Sequence, residues 1–180
     1  MQPTALDADD WLDLALNELK EHGYGALKAL PLAKKLNVTR GSFYHHFDSL
    51  DDFHSAVLVH WSKRSSGTLI TAAVEASDPR QALNDLLQQT LRSGEKLERA
   101  IRSWATVQPR VAREVEKVDN LRIEVAEDLL IRGGVSKSVA APRSRLLYWA
   151  AIGRLMLPFP DSNLLLPDEI AGLAVLMMHE

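Results

Sequence analysis

Three observations predict an all-α fold. Apolar residues recur at helical spacing in one segment after another, strand-like alternation is nearly absent, and caps, prolines and glycines punctuate the segments. Leu12, Ala15, Leu16 and Leu19 form one face of an amphipathic helix, with Asp7, Asp9 and Asp10 at its start, where carboxylates cap free N–H groups and suit the helix dipole. Gly23 is expected to end it as a left-handed cap. Short helices follow at about 29–36 and 39–47, the second opened by Thr39. Ser49 or Asp51 then caps a longer helix carrying Phe53, Val57, His60 and Trp61.

Asp78-Pro79 opens a helix through Leu83, Leu86 and Leu87, which Arg92-Ser93-Gly94 breaks. Next come Lys96–Thr106, a turn at Gln108-Pro109, and a long helix from Val111 to Leu129 stopped by Gly133-Gly134. Two late helices, about Arg143–Leu157 and Pro167–Met178, bring the expected total to roughly nine.

The chain has 180 residues, 46% hydrophobic and 25% charged, which suits a folded protein rather than a disordered one. With no cysteine, disulfide frameworks, cysteine–zinc sites and thiol nucleophiles are excluded. No apolar run approaches the ~20 residues of a membrane-spanning helix. The start, MQPTALDADDW, does not read as a signal peptide, so a soluble, cytoplasmic protein with no membrane partner is expected.

The net charge of −3 conceals a local separation. Residues 28–47 hold Lys28, Lys34, Lys35 and Arg40 and no acid, whereas the helix before them carries six acids against Lys20. A basic, polar surface of this kind attracts phosphate backbones by releasing their counterions. The segment also has the shape for it. One short helix ends at Leu36, Asn37-Val38-Thr39 turn the chain, and a second begins, the arrangement that places a recognition helix in the major groove. In that second helix Arg40 suits a guanine edge, and small Gly41 and Ser42 permit close approach to the duplex. Phe43 and Phe47, at i and i+4, are expected to face the core. His45 and His46 are neighbours about 100° apart on a helix and cannot share a metal ion. Ser42 with either histidine lacks an orienting acid and an oxyanion hole, so neither an enzyme nor a metal or cofactor site is expected.

The run LAKKLNVTRGSFYHHF, followed by DSLDDF and preceded by WLDLALNELKEHGY, resembles the DNA-binding motif of tetracycline-repressor-type (TetR/AcrR) regulators. The resemblance covers about residues 8–66, and the stretch Trp104–Arg122 is similar to the regulatory half of many such proteins. Three departures stand out: Asn37 where the family usually has glycine in the turn, Lys28 where a threonine commonly caps, and Leu50 where a lysine usually begins the fourth helix and touches phosphate. Carried over position by position, the resemblance implies a DNA-binding surface of Lys28, Thr39, Arg40, Gly41, Ser42, Tyr44, His45 and His46. Lys28, Thr39 and His46 would meet phosphates.

It further implies a DNA-binding domain over 6–66 (helix-turn-helix about 29–48) and an effector-binding, dimerising domain over 67–180. The segment Leu146–Leu157 is apolar nearly all round, which demands burial on every side, and Ala171, Gly172 and Ala174 let the last helix be approached closely. The expected homodimer interface is Leu146, Leu147, Trp149, Ala150, Leu155, Ala171, Gly172, Ala174 and Leu176. Trp61, Leu87, Leu91, Trp104, Val107, Trp149 and Met156 are candidate walls of a pocket for an unknown small-molecule effector. The implied function is a ligand-responsive transcriptional repressor binding a palindromic operator as a homodimer. The alternative is a helical ligand-binding or interaction module whose DNA-binding head is vestigial.

Overall fold

The computed structural model describes residues 6–92, 96–159 and 164–179, with backbone alone for residues 66, 68 and 69. Among the described residues it is helical and contains no strand: α1 (Ala8–His22), α2 (Ala29–Lys35), α3 (Arg40–His46), α4 (Leu50–Glu75), α5 (Pro79–Arg92), α6 (Lys96–Ala105), α7 (Pro109–Arg132), α8 (Lys137–Leu155) and α9 (Pro167–Met178). The chain divides into two compact units, one of Met1–Ser65 with Lys96–Val115, the other of Ser66–Glu95 with Glu116–Glu180. Residues 96–115, expected in a domain over 67–180, group here with residues 1–65.

In the first unit, α1 starts with a reciprocal cap. Asp10 N–H donates to Asp7 (3.0 Å) and Asp7 N–H to Asp10 (2.9 Å), satisfying two donors the helix leaves open. Trp11, Leu12, Ala15, Leu16 and Leu19 are buried. Gly23 ends the helix with φ 74 but ψ 177, so the left-handed cap is corrected to an extended turn, because the chain goes straight into a 3-10 turn at Tyr24–Ala26 that periodicity did not reveal. The α6 residues Ile101 and Trp104 are fully buried. Tyr24 stacks on Trp104 at 6.3 Å, and His54 of α4 meets the same indole edge-on at 5.1 Å. These contacts are why α6 belongs with the head: its apolar face is covered there.

In the second unit, Leu83, Leu87 and Leu91 of α5 pack with Leu129 and Leu130 of α7, Ala140, Leu147 and Ala151 of α8, and Ile170, Ala174 and Met178 of α9. Asp78 caps α5, accepting from the N–H groups of Arg80 (2.9 Å) and Gln81 (3.2 Å). Two arginines satisfy helix ends elsewhere. Arg132 donates to Ala73 O (3.1 Å), Val74 O and Ala76 O at the end of α4, and Arg143 donates to Met177 O (2.8 Å) and His179 O at the end of α9. α8 starts at Lys137, not near Arg143, and Pro142 sits inside it, in the second turn, where its missing N–H removes one helical hydrogen bond.

One ion-pair network ties α1 to α4. The Asp13 carboxylate accepts from His60 Nε2 (2.7 Å) and from Arg64 Nη1. The His60 hydrogen bond foremost holds this carboxyl below its usual 3.8, outweighing partial burial, with the Arg64 donors adding to it. Because the folded value lies below the unfolded one, this contribution is present above about pH 3.8 and is lost as the pH falls through the folded value. The side chain is half exposed, so the contribution is at most about 1 kcal/mol. Asp13→Asn is expected to lower the melting temperature by about 2–4 °C near neutral pH. The deficit should shrink as the pH falls below about 3.8 in circular-dichroism melts, and a deficit independent of pH would contradict this assignment.

Candidate nucleic-acid interface

The turn between α2 and α3 is built from backbone hydrogen bonds. Val38 N–H reaches back to Ala33 O (2.9 Å) and Asn37 N–H to Lys34 O (3.2 Å), the paired closure of a Schellman motif. It requires a left-handed residue, and Asn37 takes that place with φ 57, the one non-glycine with positive φ among the described residues. Thr39 then caps α3, its hydroxyl accepting from Ser42 N–H at 3.3 Å. At the opposite end of α2, Lys28 occupies the N-cap position without a side-chain hydrogen bond to the helix. Its neighbour Leu27 has its carbonyl within 3.1 Å of His54 Nε2. Ser49, not Asp51, caps α4: its Oγ accepts from Asp52 N–H at 3.0 Å, and Leu50 is the first helical residue.

Phe43 fixes which face of α3 looks inward. It is fully buried, with Trp11 of α1 at 5.4 Å, Phe47 at 5.2 Å and Phe53 of α4 at 5.0 Å, mostly edge-on as aromatic quadrupoles prefer. The outer face then carries Arg40, Gly41, Tyr44 and His45, all exposed, with Ser42 and His46 half-buried beside them. Lys28 and Thr39 are exposed on the flanks. Seven of the eight residues expected to meet DNA thus lie on α3 or at its N-cap, and Lys28 lies at the N-cap of α2.

Two pairings were not visible in sequence. Lys35 Nζ lies 2.5 Å from Glu18 Oε1 on α1, so this lysine is neutralised within the protein while Lys34 points to solvent. Seventeen residues separate the partners, too far for any local pattern. Arg40 Nη2 donates to Tyr44 Oη at 3.1 Å. The two stand at i and i+4 on α3, one turn apart, a spacing that permits the pair without specifying it. Among the described residues no group of three or more His, Cys, Asp or Glu is arranged to hold a metal ion.

The other expected residues separate by face. Leu146, Trp149, Ala150, Gly172 and Leu176 are exposed and Ala171 is half-buried, whereas Leu147, Leu155 and Ala174 lie inside the protomer. α8 is thus covered on one side only, and Trp149, 63% exposed, crowns the uncovered side. For the expected pocket, Trp61 and Trp104 are core residues of the first unit and Leu87 and Leu91 of the second, while Val107, Trp149 and Met156 are exposed. Helical spacing marked these residues as apolar faces without saying whether core or cavity lies beneath them. A cleft of about 260 Å³ in the second unit, bordered by Ala73, Asp78, Gln81, Asp85 and Leu86, contains none of them.

Residues 12–57 match the family model "Bacterial regulatory proteins, tetR family". No curated protein matches the chain in sequence. Solved structures match nearly its whole length. A TetR transcriptional regulator from Legionella pneumophila superposes with a TM-score of 0.76 at 16% identity, over 99% of this chain and 100% of that one. A TetR transcription regulator from Haloarcula marismortui gives 0.71 at 19% identity over 95% of each. AibR, solved with isovaleryl coenzyme A and operator DNA, gives 0.66 at 13% identity over 94% of this chain and 96% of that one.

Asn37→Ala is expected to destabilise the protein by about 1–2 kcal/mol, since alanine has no local hydrogen bond to offset the left-handed conformation. Asn37→Gly should be neutral or mildly stabilising. Urea unfolding curves for the two variants test this, and an Asn37→Ala variant as stable as the parent would show that the turn does not depend on the residue.

Proposed function

On the premise that this chain has a TetR-family DNA-binding head and the helical fold of the TetR regulators, we propose that it is a ligand-responsive transcriptional repressor that binds a palindromic operator as a homodimer. The single observation that carries the reading is the two-sidedness of α3. Phe43 and Phe47 are spent on the core, and what remains outside, Arg40, Gly41, Tyr44 and His45, is a set of groove-compatible side chains on a helix capped for docking. Arg40, Ser42, Tyr44 and His45 then face bases, and Lys28, Thr39 and His46 meet phosphates.

The exposed apolar side of α8 and α9, with Leu146, Trp149 and Leu176, supports a homodimer: one short recognition helix reads few base pairs, and a two-fold partner covers this face while supplying the second half-site. Leu147, Leu155 and Ala174, also expected in that interface, are buried within the chain. α4 is one helix from Leu50 to Glu75, with residues in both units. An effector that binds the second unit and favours one placement of α4 would favour one separation of the two heads, and operator affinity would follow from that difference. AibR, crystallised with an acyl coenzyme A and its operator, supports an effector of this general kind.

Fluorescence anisotropy with DNA from upstream of the coding region, across a salt series, tests the reading. Sequence-specific binding that weakens steeply with salt and disappears in Arg40→Ala is expected. Binding that is weak, indifferent to sequence and insensitive to salt would favour an interaction module with a vestigial head.

Gly41 gives a sharper test. A Cβ placed there would meet nothing closer than Thr39 Oγ1 at 3.5 Å, an ordinary contact, so the protein itself does not require glycine at this position. Gly41→Ala should therefore leave stability unchanged or raise it by up to about 1 kcal/mol. It should also weaken operator binding by about tenfold if the duplex closes on this face. Loss of stability with unchanged DNA affinity would remove Gly41 from the interface.

A further inference from the structure

Arg40 is the sole arginine or lysine of α3, so whatever guanine-reading capacity the helix has rests on one flexible side chain. That side chain is not free to wander. Its Nη2 donates to Tyr44 Oη at 3.1 Å, and its guanidinium carbon lies 5.3 Å from the centre of the Tyr44 ring. Tyr44 is held in turn, its ring edge-on to Phe43 at 5.2 Å and 84°, and Phe43 is fully buried. A line of support therefore runs from the aromatic core through Tyr44 to the guanidinium.

We propose that Tyr44 is a positioning residue for Arg40, holding the guanidinium in the pose that reads one guanine in each operator half-site, and not chiefly a phosphate contact. The inference rests on the DNA-binding reading above. A guanidinium has five N–H donors, so the bond to Tyr44 leaves four, enough for the two that a guanine edge accepts at O6 and N7. Freezing an arginine before it binds removes part of the ordering cost of the complex, and it removes it only for the base that matches the frozen pose. Preorganisation of this kind changes discrimination at one position more than it changes overall affinity.

The experiment is a set of duplexes carrying each base at each position of the selected operator, titrated with wild type, Arg40→Ala, Tyr44→Phe and the double variant, with melting temperatures recorded alongside. Arg40→Ala should erase a guanine preference of about tenfold or more at a single position. Tyr44→Phe keeps the ring and loses the hydroxyl. It should narrow that same preference by about threefold at unchanged melting temperature, and have no further effect at that position once Arg40 is gone. Equal weakening on every duplex, additive with Arg40→Ala, would overturn the inference and make Tyr44 a phosphate contact. A Tyr44→Phe effect that tracks a lower melting temperature would overturn it as merely structural. Wild-type protein without any base preference would overturn the DNA-binding reading and this inference together, a result distinct from both.

Discussion

The packing of Phe43 is the constraint on which the candidate interface depends. A seven-residue helix has too few internal hydrogen bonds to hold itself together in water, so α3 exists because something outside it fixes its orientation. Trp11, Phe47 and Phe53 surround Phe43 with ring centres 5.0–5.4 Å away, and they come from α1, the end of α3 and α4. Once that ring is seated, helical geometry sends Arg40, Gly41, Tyr44 and His45 to the other side without further instruction. The Schellman turn at Asn37 and the Thr39 cap then set where the helix starts, and so where Arg40 stands.

Charge is distributed to the same end. The acids of α1 are partly used inside the head: Glu18 neutralises Lys35 and Asp13 engages His60 and Arg64. What is left facing outward around α3 is a small cationic surface of Lys28, Lys34 and Arg40, set in a protein of net charge −3. An overall negative protein repels bulk nucleic acid at a distance, so binding of this kind relies on a local field that acts within about a Debye length, roughly 8–10 Å at physiological salt. Leu50, the first residue of α4, adds no charge to that field.

Most of the architecture was legible because it is local. The caps at Asp7, Thr39 and Asp78, the four-residue spacing of Phe43 and Phe47, and the stop at Gly133-Gly134 are all short-range signals, and each appears in the structure where the sequence puts it. The departures have separate causes. Gly23 takes positive φ but extended ψ because the following 3-10 turn brings Tyr24 onto Trp104, eighty positions away. The start of α8 lies six residues before the expected one, with Pro142 inside the helix. An apolar face looks the same in sequence whether it meets core, cavity or solvent, so periodicity alone does not name the walls of a pocket.

By itself, then, the sequence determined the helices, their order, the tight turn between α2 and α3 and which residues of α3 face outward, since those depend on periodicity and capping within a few residues. Tertiary structure alone decided the rest. It grouped α6 with the head, took Lys35 out of the cationic surface by giving it Glu18, and divided α8 into a buried side with Leu147 and Leu155 and an exposed side with Leu146 and Trp149. The reason is physical: hydrogen bonds within a helix are set by neighbours in the chain, whereas burial and ion pairing are set by whichever distant segment arrives, and no pattern along one helix names its partner.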